Sequence, residues 1–300
     1  MLDLSGVYPA LTTPFAADGS VSLDGMEHNI GRYNHTALAG YVVLGSTGES
    51  VLLRSKEMDG ILGAVKETAA PGKKLIAGTG AESTAETIER TQRAAALGYD
   101  VALVKTPYYY KPAYKPEVLI AHYRRVADES PIPVLLYSVP IFTGMALEVP
   151  ETIALAEHKN IIGIKDSSGN VQRISEMIAG APAQFQVLVG AAATVFPCLA
   201  VGARGAILAL ASALPEKCET LYELFRSGQM DQARELQKVL LGASNQIVSK
   251  FGIAGVKYVM DQRGYRGGNP RLPLQPLTEE HKARISSFLA TIEQPIVASA

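Results

Sequence analysis

Cysteine is nearly absent: the 300 residues contain only Cys198 and Cys218. Two thiols so placed make neither a metal-ligand spacing nor a disulfide framework. They read as buried thiols in a reducing compartment, so a cytoplasmic protein is expected. No charge sign is in excess either, since 28 Lys and Arg face 29 Asp and Glu for a formal net charge of -1. With no local run of basic residues, no nucleic-acid surface is expected. No uninterrupted apolar run approaches the roughly 18 to 20 residues that a membrane span needs, so no membrane partner is expected. The opening MLDLSGVYPALTTPF lacks a basic region followed by a long apolar one, and is not expected to be a signal peptide. The five histidines (His28, His35, His122, His158 and His281) show no ligand spacing. They read as surface or helix-end residues, with no catalytic metal.

What is present is a regular alternation. At 47% hydrophobic residues the chain can bury a large core. Short apolar runs rich in β-branched residues recur at VYPALT (7–12), GYVVLGS (40–46), KLIAGTG (74–80) and DVALVKTP (100–107). They continue at IPVLLYSVP (132–140), IIGIKDSS (161–168), FQVLVGA (185–191) and GAILALAS (205–212). Between them lie helical patterns such as SKEMDGILGAVKETAA (55–70) and STAETIERTQRAAALG (83–98). In the second, Ser83 can cap the helix with Glu86 at capping-box spacing, and Ile88, Thr91, Ala95 and Leu97 are placed to form the packed face. Near-continuous apolar strands alternating with helices predict a parallel sheet covered on both faces. Eight such units predict a closed (β/α)8 TIM barrel over residues 1–212. From 213 to 300 the strand signals stop and four helical patterns predict a C-terminal extension, joined by the Gly/Pro-rich connector RGGNPRLPLQP (266–276).

In such a barrel the active site lies at the C-terminal ends of the strands. Polar residues at those ends are Thr12 and Thr13; Ser46, Thr47 and Glu49 in GSTGES; Thr106 and Tyr108 to Tyr110; Tyr137 and Ser138; and Lys165 with Asp166. Among them Lys165 reads as the only amine that ends a strongly apolar strand. A free lysine has a pKa of about 10.4, and burial can lower it by roughly 3–5 units, which would make the amine a nucleophile toward a carbonyl carbon. A strand-end lysine can equally reach solvent or pair with Asp166. Imine chemistry also needs a proton relay, and Tyr137 sits on the preceding strand at the same level, with Tyr109 and the Thr47 hydroxyl as further members. Each tyrosine taken alone is as compatible with aromatic packing. GSTGES offers backbone N–H groups and small hydroxyls suited to a carboxylate or a phosphate, and it is not a P-loop.

GSTGES, TPYYYKP, YSVP-x-x-TG and GIKDSSG, in this order and spacing, resemble the pyruvate-dependent class I lyases of the dihydrodipicolinate synthase and N-acetylneuraminate lyase superfamily. The resemblance runs from TTPF at 12–15 to the PLQPL region. It implies a (β/α)8 barrel with a C-terminal helical region, assembled as a homotetramer of two tight dimers, acting on a small 2-oxo acid without metal or organic cofactor. It also implies that Lys165 forms the Schiff base and Tyr137 is the general acid/base. Ser46 and Thr47 would be the hydroxyl pair that binds the pyruvate carboxylate and joins the relay. Tyr109 would reach into the neighbouring subunit's site, and Gly190 and Ile207 would contact the keto acid through their backbone.

The departure lies in YSVPIFTG. Dihydrodipicolinate synthases carry Asn after the tyrosine, and an arginine that holds the aldehyde's carboxylate; here these positions are Ser138 and Phe142. Phenylalanine makes no charge-assisted bond to a carboxylate, so Arg124, Arg173 or another cation would have to substitute. Specificity is expected around Phe142, Ala191 and Ser212. Glu82, Ser55 and Met58 stand where lysine-inhibited synthases have Asn, His and His, so lysine inhibition is not expected. SPIPVLLYSVP, KDSSGNVQRI and KFGIAGVKYVMDQRGYRGG resemble 4-hydroxy-2-oxoglutarate aldolases more closely, although those carry Ser-Asn in place of Ser46-Thr47. The resemblance therefore implies an aldolase releasing pyruvate and an aldehyde, glyoxylate preferred. The alternatives are 4-hydroxy-tetrahydrodipicolinate synthase, a 2-keto-3-deoxy sugar acid aldolase or dehydratase, and a keto-acid-binding barrel without turnover.

Overall fold

Each of the eight apolar runs forms a strand in the computed structural model, which describes residues 2–292. The strands are β1 (Gly6–Pro9), β2 (Gly40–Val43), β3 (Lys74–Gly78), β4 (Val101–Lys105), β5 (Val134–Ser138), β6 (Ile161–Asp166), β7 (Gln186–Val189) and β8 (Gly205–Leu208). All neighbours pair in parallel in the order β1-β8-β7-β6-β5-β4-β3-β2. A parallel bridge between Ala10 and Val42, with Leu11 N donating to Val42 O at 2.9 Å, brings β1 and β2 together. The result is a (β/α)8 barrel with two apolar layers. Tyr8, Val42, Ile76, Leu103, Leu135, Tyr137, Ile162, Leu188 and Ile207 fill its interior, and a larger cluster joins the outer strand faces to the helices.

The helices are α1 (Leu23–Tyr33), α2 (Ser55–Thr68), α3 (Thr84–Ala96), α4 (Pro116–Glu129), α5 (Pro140–Thr143), α6 (Val149–Ala156), α7 (Val171–Gly180), α8 (Val195–Ala200) and α9 (Leu210–Ala213). Beyond them lie α10 (Pro215–Arg226), α11 (Met230–Ala243), α12 (Lys250–Gln262) and α13 (Glu279–Ile292). Ser83 caps α3 as expected, accepting from Glu86 N at 3.1 Å, but the Glu86 carboxylate turns to Arg90 instead of closing a box. The packed face of α3 is Thr87, Thr91 and Ala94. Hydroxyls serve there because Thr87 accepts from Ala81 N and Thr91 donates to Thr79. His122 also departs from the sequence reading. It is buried on α4 with Nδ1 2.9 Å from Thr84 Oγ1, and burial pushes its pKa down to about 4.

The run from Met230 to Gln262 matches a membrane span in length and mean hydropathy. It is not one straight helix, because a π-turn occupies Ser244–Ser249 and Gly252 leaves helical geometry at φ 58°. Its Ala233, Leu236, Leu240, Val256 and Met260 are buried in the protein core.

One irregularity decides the site. Ile161 pairs with Val134, but Gly163 pairs with Leu135, so β6 carries one extra residue at this point. Strand side chains alternate faces, and without that insertion Lys165 would share the outward face of Ile161. Ile162 faces the barrel interior, and the bulge puts Ile164 in the outer layer. Lys165 then falls on the inner face beside Tyr137, its partner in register. Gly163 permits this because a β-carbon there would overlap the Gln186 carbonyl oxygen.

Candidate active site

At the C-terminal rim, Lys105, Tyr137 and Lys165 form one row across β4, β5 and β6. Lys165 is 3% exposed, and its nitrogen lies 4.2 Å from the Tyr137 ring centre. Among the described residues no carboxylate or hydrogen-bond acceptor pairs with that nitrogen. Pairing with Asp166 is ruled out by geometry: Asp166 faces the helix layer, where it accepts from Arg173 Nε at 3.0 Å. The Tyr137 hydroxyl approaches Ser46 Oγ at 3.4 Å. An amine, a phenol and a hydroxyl therefore meet at one end of the barrel with no counter-charge at the amine. Such a set can add to a carbonyl and move protons to and from the adduct.

The loop after β2 carries Ser46 and is held by buried electrostatics that the sequence reading missed. Leu44 and Glu49 both take positive φ, at 60° and 55°. Thr13 donates to Gly48 O at 2.7 Å. Glu49, with Oε1 2.6 Å from Lys257 Nζ and Oε2 accepting from Arg271 N at 2.7 Å, is fully enclosed. Lys257 also donates to Asn269 O at 3.0 Å, and Arg271 makes two bonds to Glu57 at 2.7 and 2.8 Å. Burial pushes the Lys257 pKa down while the Glu49 carboxylate pulls it back up. The available signal was Lys257 itself, a lone cation on the apolar face of Gly255, Val256, Val259 and Met260.

The remaining expected site residues are spread more widely. Thr47 is half-buried and Tyr109 is 73% exposed. Among the described residues neither hydroxyl has a hydrogen-bond partner, so this chain alone does not join them to Tyr137. The Tyr109 backbone is fixed instead, since Tyr108 N and Tyr109 N both donate to Glu82 Oε2, at 3.1 and 2.9 Å. Ile207 is buried in the barrel interior, in register with Tyr8. Gly190 follows β7, with its N–H donated to Asp166 O at 2.7 Å. Ser138 lies behind the rim, where its Oγ accepts from Leu147 N at 3.3 Å. Ser212 is likewise committed to the scaffold, donating to Ala10 O at 2.8 Å.

Beside Ser46 opens a cavity of about 260 Å³, whose mouth carries Phe142, 63% exposed, with Val51, Ile253 and Leu274. Neither arginine suggested by the sequence reaches it. Arg124 donates to Ala154 O at 3.3 Å, and Arg173 is consumed by Asp166, Glu148 and Leu147 O. The cation in the cavity wall is Lys105. It ends the buried strand VALVK, which corrects the reading of Lys165 as the only amine in such a place. Ser55 and Met58 border a separate space of about 20 Å³.

Comparison with known proteins agrees with this architecture. The model of the dihydrodipicolinate synthetase family matches residues 3–292. A 4-hydroxy-tetrahydrodipicolinate synthase of an Exiguobacterium species is 37% identical over 286 residues, covering 95% of this chain and 97% of the relative. Dihydrodipicolinate synthase from Bacillus anthracis superposes with a TM-score of 0.93 at 28% identity, over 98% of this chain and 100% of the other. A prophage protein of the same family from E. coli K12, solved in complex with pyruvate, gives 0.91 at 29% identity over 96% and 98%. The closer likeness to 4-hydroxy-2-oxoglutarate aldolases finds no support in these matches.

Proposed function

The chain belongs to the dihydrodipicolinate synthetase family, a family of lyases of the class I aldolase type, and on that premise we propose that it is a 4-hydroxy-tetrahydrodipicolinate synthase. It would join pyruvate to aspartate semialdehyde through an imine on Lys165. The observation that carries this reading is the buried Lys165 amine, without a counter-ion and 4.2 Å from the Tyr137 ring. The Lys165 nitrogen adds to the pyruvate carbonyl carbon, and Tyr137 delivers the proton with which the carbinolamine oxygen leaves as water. The imine accepts the electrons left when a proton departs the adjacent methyl, giving an enamine that attacks the aldehyde. The imine is the electron sink, so the scheme needs no metal or organic cofactor.

Ser46, with Thr47 and the loop amides, would hold the pyruvate carboxylate, while Gly190 and Ile207 would line the keto acid. Tyr109 would complete the relay from a neighbouring copy in a tetramer of tight dimers, consistent with its exposed ring and anchored backbone.

A second reading has its own observation. Phe142, apolar and exposed at the cavity mouth, stands at the arginine position of the synthases. The 4-hydroxy-2-oxoglutarate aldolases lack that arginine too, so cleavage of 4-hydroxy-2-oxoglutarate to pyruvate and glyoxylate is the second reading. Borohydride reduction in the presence of pyruvate, with peptide mapping, tests the imine. Parallel assays with aspartate semialdehyde and with 4-hydroxy-2-oxoglutarate separate the two substrates. Loss of the scheme would follow from the absence of a pyruvyl adduct on Lys165.

A further inference from the structure

Both aldehydes just named carry a carboxylate, yet the position from which the synthases hold it is Phe142. The geometry points to Lys105 as the cation that receives the carboxylate of the aldehyde partner, making it the residue that selects anionic over neutral aldehydes. This assignment rests on the imine-forming reading and extends it to the second substrate.

Five observations carry it. Lys105 ends β4 in register with Tyr137, in the same row as Lys165, and lines the same cavity as Ser46 and Phe142. It is the only cationic side chain lining that cavity among the described residues. The one carboxylate lining that cavity among the described residues, Glu49, is already paired with Lys257 and hydrogen-bonded by the Arg271 amide.

The Lys105 ammonium also lacks a full partner. Its nearest acceptor, Glu82 Oε1, is 3.8 Å away, beyond hydrogen-bond length, and the other Glu82 oxygen is taken by the amides of Tyr108 and Tyr109. The side chain is 14% exposed, and burial lowers its pKa. An ammonium so enclosed, with three donors and no acceptor in bonding range, is stabilised by an incoming anion.

Finally, the position of the amine is built. Gly80 leaves room for the stem, since a β-carbon there would lie 2.9 Å from Lys105 Cγ. The Tyr108 ring, 4.8 Å from the nitrogen, braces it on another side. Around it Val51, Val139, Phe142, Ile253 and Leu274 form an apolar wall that strengthens a charge-assisted bond.

The test uses the full-length enzyme with Lys105→Met and Lys105→Arg, assayed for condensation of pyruvate with aspartate semialdehyde, glyoxylate and a neutral aldehyde such as glyceraldehyde. Lys105→Met should lower kcat/KM for the two anionic aldehydes about 10- to 100-fold, chiefly through KM, the range expected for one charged hydrogen bond. Turnover of the neutral aldehyde, the Tm and the half-saturation of borohydride trapping by pyruvate should shift by less than about twofold or 2 °C. Lys105→Arg should recover most of the anionic preference. Equal losses for anionic and neutral aldehydes, or no loss for either, would overturn the assignment while leaving the imine intact. Failure of the unmodified enzyme to trap pyruvate would instead remove the imine reading, and this assignment with it.

Discussion

The Lys165 nitrogen stands 4.2 Å from the centre of the Tyr137 ring, and the two residues are direct neighbours in the β5–β6 register. Amine and phenol are therefore held by the sheet itself, which fixes their spacing more rigidly than a loop would. Their roles separate by substitution. Lys165→Met should abolish both the borohydride-trapped adduct and turnover. Tyr137→Phe should still trap pyruvate, more slowly, while kcat falls about 10²- to 10⁴-fold, the usual worth of a general acid/base. Intact mass and steady-state kinetics on the two variants check this, and normal turnover by Tyr137→Phe would count against the relay.

The bulge at Gly163 faces the site inward, so a side chain there is expected to act on both stability and chemistry. Gly163→Ala places a β-carbon against the Gln186 carbonyl and 3.1 Å from Leu135 Cδ1. We expect a loss of at least about 1–3 kcal/mol, the scale of overpacking in a close-packed core. Urea unfolding reads the stability, and borohydride trapping reads the placement of Lys165. A fully stable variant with normal trapping would show that the strand absorbs the change elsewhere.

The Glu49–Lys257 pair lies wholly inside the protein and ties down the end of the Ser46 loop. Lys257→Met leaves a buried carboxylate whose remaining partner is the Arg271 amide, and should cost about 3–5 kcal/mol. Adding Glu49→Gln should restore part of that loss, because the double variant buries no unpaired charge. A double-mutant cycle measures the coupling, and strict additivity would contradict a direct pair. The KM for pyruvate should rise in Lys257→Met if the pair also positions Ser46.

Acid stability has an identifiable contributor. The Arg271 guanidinium, bonded twice to Glu57, lowers that carboxyl from 4.5 to about 2. Its folded pKa lies below the unfolded one, so its contribution is present above about pH 4.5 and is lost as pH falls toward 2. The contribution is on the order of 2 kcal/mol, allowing for partial solvent screening. Glu57→Gln should be less stable than the parent at neutral pH, and the gap should narrow between pH 5 and pH 2. Parallel unfolding curves with a constant gap would remove this assignment.

Much of this protein is written locally. Eight apolar runs, each too short for a helix of useful length and separated by amphipathic segments, point to a parallel sheet covered on both faces, and eight such units favour its closure into a barrel. Lys165 and Tyr137 stood out because charge and phenol at the end of such runs conflict with their surroundings. The rest depends on neighbours that sequence order does not bring together. Alternation counted along IIGIKDSSG cannot reveal the extra residue opposite Val134 and Leu135, and that residue decides which way Lys165 faces. Lys105 reads as an ordinary strand-end cation until β3, β4 and the Ser46 loop close a cavity around it. Glu49 meets Arg271 from 222 residues away, and only the closed barrel with its C-terminal connector laid across the rim brings their charges into the same water-poor space. Local pattern is a property of adjacent residues, whereas the pairing and desolvation of charge are properties of the closed fold.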